Sequence, residues 1–200
     1  MKIHPIIFSG AMVRALRAGR KTQTRRLASS PLSRVEPGDV LYVRESFRLD
    51  IAYDKLRPKA VSPEAAIWYD AGGALGGGVH GKLRPAIHMP RWASRLTLLV
   101  RSVSIEALRS ISQGDVISEG APLDPNHRDE TQDGSNPFMC ISEHPHITQS
   151  PHAWYHRLWD TLHDADGERW EDNPQVVALT FEVISQNVDH PDTQQQIREG

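Results

Sequence analysis

The chain has a single cysteine, Cys140, so no disulfide can form within it. A fold of 200 residues must then be held by its apolar core, and the compartment expected for it is a reducing, cytoplasmic one. No apolar run approaches the ~20 residues that a membrane-spanning helix needs, so no membrane partner is expected. The opening MKIHPIIFSG holds one lysine and too short an apolar stretch for a secretory signal. Acidic residues are missing over a defined length as well. None occurs before Glu36, whereas Lys2, Arg14, Arg17, Arg20, Lys21, Arg25, Arg26 and Arg34 do. The net charge of -2 conceals this, because in 160–200 only Arg169 and Arg198 oppose a series of Asp and Glu. A basic front and an acidic rear can neutralise each other in the fold. They can equally leave a basic cleft of the kind that nucleic acid or a nucleotide requires.

Several ligand-binding patterns are absent too. The Gly-rich run 72–78 lacks the spacing and the following helix of a dinucleotide fingerprint, and reads as a loop. At 18–22, Arg20 separates Gly19 from Lys21 and no earlier glycine completes a P-loop. Cys140, His144, His146, His152 and His156 carry ligand types, but not at zinc spacing and with no Cys-x-x-Cys partner. Neither metal nor cofactor is therefore expected.

What is present is the composition of one soluble domain, 38% hydrophobic and 24% charged. A short strand is read around 5–8. Ser9 then caps a helix over 10–18, in which Met12, Val13 and Leu16 recur at helical spacing and Gly19 suits the left-handed end. Pro37-Gly38-Asp39 is a turn before a strand at 40–44. Strands are read at 66–70 and 96–103. Ser112 caps a second helix ending near Gly120, and Pro151 opens a third with Trp154, Tyr155, Leu158, Trp159 and Leu162 as its apolar stripe. The last strand is 176–184, and 187–200 reads as a polar, frayed tail. Short strands with varied connections predict an α+β fold, a small twisted or barrel-like sheet with flanking helices.

The densest chemistry lies in 18–26, AGRKTQTRR, where Arg20, Lys21, Arg25 and Arg26 stand among the hydroxyls of Thr22 and Thr24. Taken alone, the run is either a solvated turn or an anion-binding surface. It does not stand alone. The stretches PIIFSG at 5–10, LRAGRKTQTRR at 16–26, PGDVLYVRE at 37–45, HMPRWASR at 88–95 and ISQGDVISEG at 111–120, with Trp159 and the last strand, together resemble the ASCH-domain family of the PUA-like superfamily. The likeness is to its longer phage and prophage forms. It implies a single domain over 1–186, a PUA-like β-barrel with insertions at about 50–86 and 121–150. Small bacterial members remove the acetyl group from N4-acetylcytidine, using a Lys, a Thr three positions later and a Glu at the end of the following helix. The resemblance maps these onto Lys21, Thr24 and Glu119.

In that chemistry Thr24 supplies the nucleophile. Lys21 takes its proton once neighbouring cations and burial lower its pKa, and Glu119 donates to the leaving nitrogen. Arg20, Arg25 and Arg26 are candidate substrate contacts. Arg91, Trp92 and Arg95 form a second candidate surface, since a Trp between two Arg can stack a base and hold phosphate; a core role for Trp92 is the competing reading. Arg44 and Glu45 end a strand, where Glu45 either pairs with an arginine or reads an exocyclic amine. Three functions share these residues: a metal-independent amidohydrolase of an N-acylated cytidine or related modified nucleoside, a non-catalytic reader of RNA or modified nucleic acid, and a ribonuclease.

Overall fold

The structure, a computed structural model, describes residues 1–72, 77–123, 140–141 and 148–199. Its elements run β1 (Ile3–Ile7), α1 (Gly10–Arg17), β2 (Gln23–Leu27), β3 (Val40–Arg44), β4 (Phe47–Leu49), β5 (Ile67–Tyr69) and β6 (Thr97–Ala107). They continue α2 (Gln113–Ser118), β7 (Cys140–Ile141), β8 (Thr148–Gln149), α3 (Pro151–Leu162), β9 (Gln175–Ile184) and α4 (Pro191–Glu199), with short 3-10 turns between. Five strands make one sheet in the order β1-β3-β6-β9-β2, while β4–β5 and β7–β8 are separate pairs. β1 is parallel to β3 and β2 antiparallel to β9. The fold is thus α+β, as expected. Among the described residues, however, no ladder joins β1 to β2, and the sheet is not closed into the expected barrel. Pro5 lies on the outer strand β1, where a missing N–H is tolerated.

Contacts divide the chain into two compact units. The first is Met1–Gly19, Val35–Ser102 and Phe181–Gly200. Ser9 caps α1, its hydroxyl accepting from the Met12 N–H, and Gly19 takes the left-handed φ of 69° just beyond the helix end. Val13, Ala15 and Leu16 are buried and Arg14 and Arg17 exposed, as the spacing predicts. One cluster gathers Phe47, Leu49, Val61, Met89 and Ala93, so the stretch read as an insertion at about 50–86 contributes to a core. Another gathers Val40, Leu99, Ile184, Val188 and Ile197. Ile197 belongs to α4, and Thr193 of the same helix is also buried. The supposed frayed tail is therefore a helix with an inner face. Its composition misleads because only these two of its nine residues are buried.

Asp39 ties the start of β3 to β1. Its buried carboxylate accepts from the Lys2 N–H at 2.6 Å and the Glu36 N–H at 3.1 Å, with His4 Nε2 at 3.4 Å. Burial works against the charge, but the two backbone donors and His4 outweigh it and hold the carboxyl below its ordinary value. A depressed folded pKa contributes stability above the unfolded value, and that contribution disappears as pH falls through the folded one. Asp39→Asn should therefore cost about 1–3 kcal/mol at neutral pH. Thermal melts of variant and wild type should converge below the ordinary carboxylate range. A gap unchanged by acid would remove this account of Asp39.

The second unit is Arg20–Arg34 and Val103–Thr180. Leu108, Ile111, Val116, Ala121, Tyr155, Trp159 and Val176 form its core. α2 opens on a full capping box, with Ser112 and Asp115 each satisfying the other's backbone N–H. α3 opens on Ser150 and Pro151 and drives Tyr155 and Trp159 inward. Most of the expected 121–150 loop, including His144 and His146, lies outside the described residues. No helix among the described residues is long and apolar enough to cross a membrane.

Candidate active site

The basic segment is not a turn leaving α1. Gln23–Leu27 is a strand, β2, in antiparallel register with β9: Thr24 stands opposite Leu179, Arg25 opposite Ala178 and Arg26 opposite Val177. Side chains alternate along a strand. Arg25 accordingly reaches Gln23 Oε1 at 2.5 Å, and Arg26 Nη1 donates to Thr24 Oγ1 at 2.8 Å. Apolar patterning could not reveal this strand, because four of its five residues are polar.

The short helix α2 delivers the counter-charge. Its C-cap residue Glu119 bridges to Lys21, and the Thr22 N–H donates to the Ser118 carbonyl at 2.8 Å. Lys21 Nζ then donates to Glu119 Oε2, to the Glu119 carbonyl and to the Gln23 carbonyl, each at 2.8 Å. An ammonium has three protons to give, and here each finds an acceptor. Lys21 is 2% exposed, Glu119 4% and Thr24 0%. Burial pushes the Lys21 pKa down, against the pull of Glu119 and helped by Arg26 and Arg25. The three residues singled out from the sequence are thus all buried in one unit. Lys21 and Glu119, 98 positions apart, are in direct contact.

Arg25 is the second hub. It donates to Glu106 Oε1 through Nε at 2.9 Å and Nη2 at 2.6 Å, stands 3.4 Å from Asp115 Oδ2, and reaches Glu119 Oε1 at 3.4 Å. Burial opposes its charge, but Glu119 and Glu106 outweigh that and its pKa is raised. Tyr155, from α3, directs its hydroxyl at Glu119 Oε1 at 3.5 Å; burial and Glu119 hold that phenol well above its ordinary value. The sequence reading missed these roles. Glu106 carries no motif, Asp115 was legible only as a member of the ISQGDVISEG helix, and Tyr155 only as part of an apolar stripe.

Comparison with known proteins adds two distant likenesses. A crystal structure of the hypothetical protein PH0355 aligns over 92% of this chain and 100% of its own, at 15% identity and a TM-score of 0.40. That of a protein from Enterococcus faecalis, assigned to family DUF984, aligns over 95% of this chain and 84% of its own, at 10% identity and a TM-score of 0.43. No family model matches the chain, and no curated protein does. At these values neither likeness bears on function.

The expected basic surface is smaller than the sequence implies. Lys21 and Arg25 are buried and ion-paired, and Arg26 is half-buried. Arg14, Arg17, Arg20 and Arg34 remain exposed, Arg20 donating to the Gly120 carbonyl at 3.3 Å. The remaining candidates lie in the first unit. Buried Glu45 takes both arms of Arg95, at 2.8 and 2.9 Å, and the Arg95 guanidinium lies 4.0 Å over the Tyr69 ring. Arg44 donates to the Ile87 and Met89 carbonyls, and Arg91 pairs with Asp189. Trp92 packs against the Phe47–Met89 cluster, and its indole N–H has no hydrogen-bond partner among the described residues. His152 meets the Ile111 carbonyl and His156 meets Asp160. Among the described residues no group of three or more His, Cys, Asp or Glu could hold a metal ion.

Proposed function

We propose that this chain is an ASCH-type, PUA-like amidohydrolase that deacylates N4-acetylcytidine or a related modified nucleoside without a metal. One observation carries the reading: Lys21 and Glu119, brought together over 98 positions, form a buried pair at 2.8 Å, with Thr24 buried three residues along. Nothing local causes that meeting, and the residue types are those an amide hydrolysis requires.

The pair also suggests how the roles arise. At rest Lys21 is a saturated ammonium and no base. Transfer of one proton across the 2.8 Å contact gives an amine on Lys21 and a carboxylic acid on Glu119. Burial favours this neutral form. Thr24 Oγ then bonds to the acetyl carbon while its proton passes to Lys21. The carbon–nitrogen bond breaks as Glu119 protonates the departing amine. Water next attacks the threonyl ester, giving acetate its oxygen, Glu119 a proton and Thr24 back its own from Lys21. One amide and one water are consumed, and acetic acid and a free exocyclic amine are formed.

A second reading has an observation in its favour. Thr24 is 0% exposed and every Lys21 proton is engaged, which suits a buried ion-pair brace in a non-catalytic reader of RNA or modified nucleic acid. Incubation with a panel of N4-acylated cytidines, followed by chromatography, separates the two. Release of cytidine by the wild type is the expected result. No release from any of them removes the amidohydrolase and leaves the reader, which salt-dependent RNA binding would then support.

A further inference from the structure

We propose that Arg26 is the positioning residue of Thr24, holding the hydroxyl oxygen from one side so that its proton leaves on the other and the charge left behind meets an N–H already in place. The reaction it serves is the amidohydrolase reading; the role itself rests on the geometry of β2.

Thr24 and Arg26 share one face of the strand. Arg26 Nη1 divides its two protons between Thr24 Oγ1 and the Arg25 carbonyl, both at 2.8 Å. The carbonyl ties the guanidinium to its own backbone, and the hydroxyl receives what that anchored group aims at it. Guanidinium has no acceptor and is never deprotonated in a protein, so the direction of this bond is fixed. Thr24 must accept from Arg26 and turn its own proton elsewhere. As that proton departs, a hydrogen bond to a neutral hydroxyl becomes one to an oxyanion, roughly twice as strong. No solvent competes at Thr24, which is 0% exposed. Burial also works against the Arg26 charge, with Glu119 and Tyr155 opposing it, so new negative charge on Thr24 relieves an electrostatic cost already present. The sequence suggests a substrate contact at Arg26; the hydrogen bond suggests a partner within the chain.

The test does not depend on the natural substrate. Wild type, Thr24→Ala, Arg26→Gln and Arg26→Lys are treated with p-nitrophenyl acetate. Thr24 Oγ bonds to the acetyl carbon, p-nitrophenolate leaves, and the hydroxyl proton is taken up by base. Phenolate release is followed by absorbance and the acetyl group is located by peptide mass spectrometry. Wild type should be acetylated at Thr24, and Thr24→Ala should not be at that peptide. Arg26→Gln should slow acetylation on the order of a hundredfold, with its pH dependence displaced to higher pH and the half-saturating ester concentration unchanged. Arg26→Lys should restore part of the rate, since an ammonium keeps the charge but not the fork. Wild-type rates in Arg26→Gln, or a loss confined to half-saturation, overturn the positioning role. So does a wild type that leaves Thr24 unmodified. If Arg26→Gln fails to fold, Arg26→Lys decides, and a wild-type rate there overturns the proposal. If Thr24 is acetylated in an Arg26-dependent way but no acylated cytidine turns over, the substrate reading falls and the Arg26 role stands.

Discussion

Lys21→Ala should lower turnover of N4-acetylcytidine by on the order of a hundredfold or more and lower the melting temperature at the same time. From sequence, Lys21, Thr24 and Glu119 look like site residues outside the core, whose loss spares folding. Lys21 and Glu119 are in fact among the most buried charged groups of the second unit. Removing the ammonium leaves the Glu119 carboxylate without its 2.8 Å partner in a site that water does not reach. Such a loss costs about 3–5 kcal/mol, whereas removing both charges is far milder. The informative set is therefore Lys21→Met, Glu119→Gln and the double variant, each melted and assayed. The double variant should melt above Lys21→Met alone and remain inactive. Activity retained in Lys21→Met would end the proposed base. A Lys21→Met that melts like the wild type would end the claim that the pair holds the unit together.

Arg25→Glu should unfold the second unit before it alters any affinity for RNA. In the sequence, Arg25 belongs to a cationic run with no acid in view, and charge reversal there reads as the loss of a phosphate contact. In the fold its side chain is 1% exposed and faces Glu106, Asp115 and Glu119. Reversal sets four carboxylates against one another. Arg25→Ala, which only removes the cation, already leaves buried Glu119 less compensated, with Lys21 still in place, at a cost of about 1–3 kcal/mol. Glu106 and Asp115 are about a third exposed, so water screens their share and most of that cost falls on Glu119. Arg25→Lys should lie between, because an ammonium keeps the charge but not the planar fork that meets Glu106 through two nitrogens. Thermal melts rank these variants, and RNA titrations across salt concentrations read affinity. The exposed Arg14 and Arg17 should account for more of any salt-dependent binding than Arg25 does. A stably folded Arg25→Glu with weakened RNA binding would reverse this assignment.

What could be read in advance follows from how locally each feature is caused. Ser9 with Gly19, Ser112 with Gly120, and Pro151 are punctuation within a few residues of the helices they bound, and those three helices lie where expected. β3 and β9 are apolar runs and were equally legible. β2 was not, because its buried Arg25 is balanced by Glu106, 81 positions away, and Glu119, 94 away. α4 was missed because a polar helix with two inward residues resembles a tail. At the site, the meeting of Lys21 and Glu119 came from the family likeness of the motif and from no periodicity. Of the acids around Arg25, Glu119 came from the same likeness, Asp115 only as part of the second helix, and Glu106 had no signal at all.

α2 has only six residues, too few to persist as an isolated helix in water. Its first turn is closed by Asp115, which also faces Arg25, and its end by Glu119, which holds Lys21. Fraying at the Glu119 end therefore means leaving the Lys21 ammonium without its carboxylate in a buried site. The usual gradient of local opening, easiest at helix ends, should be suppressed here. The Glu119 and Gly120 amides, bonded to the Asp115 and Ile117 carbonyls, then exchange with solvent only when the charge web itself comes apart. Their exchange rates become a gauge of whether the site is assembled, readable in the resting protein without a ligand.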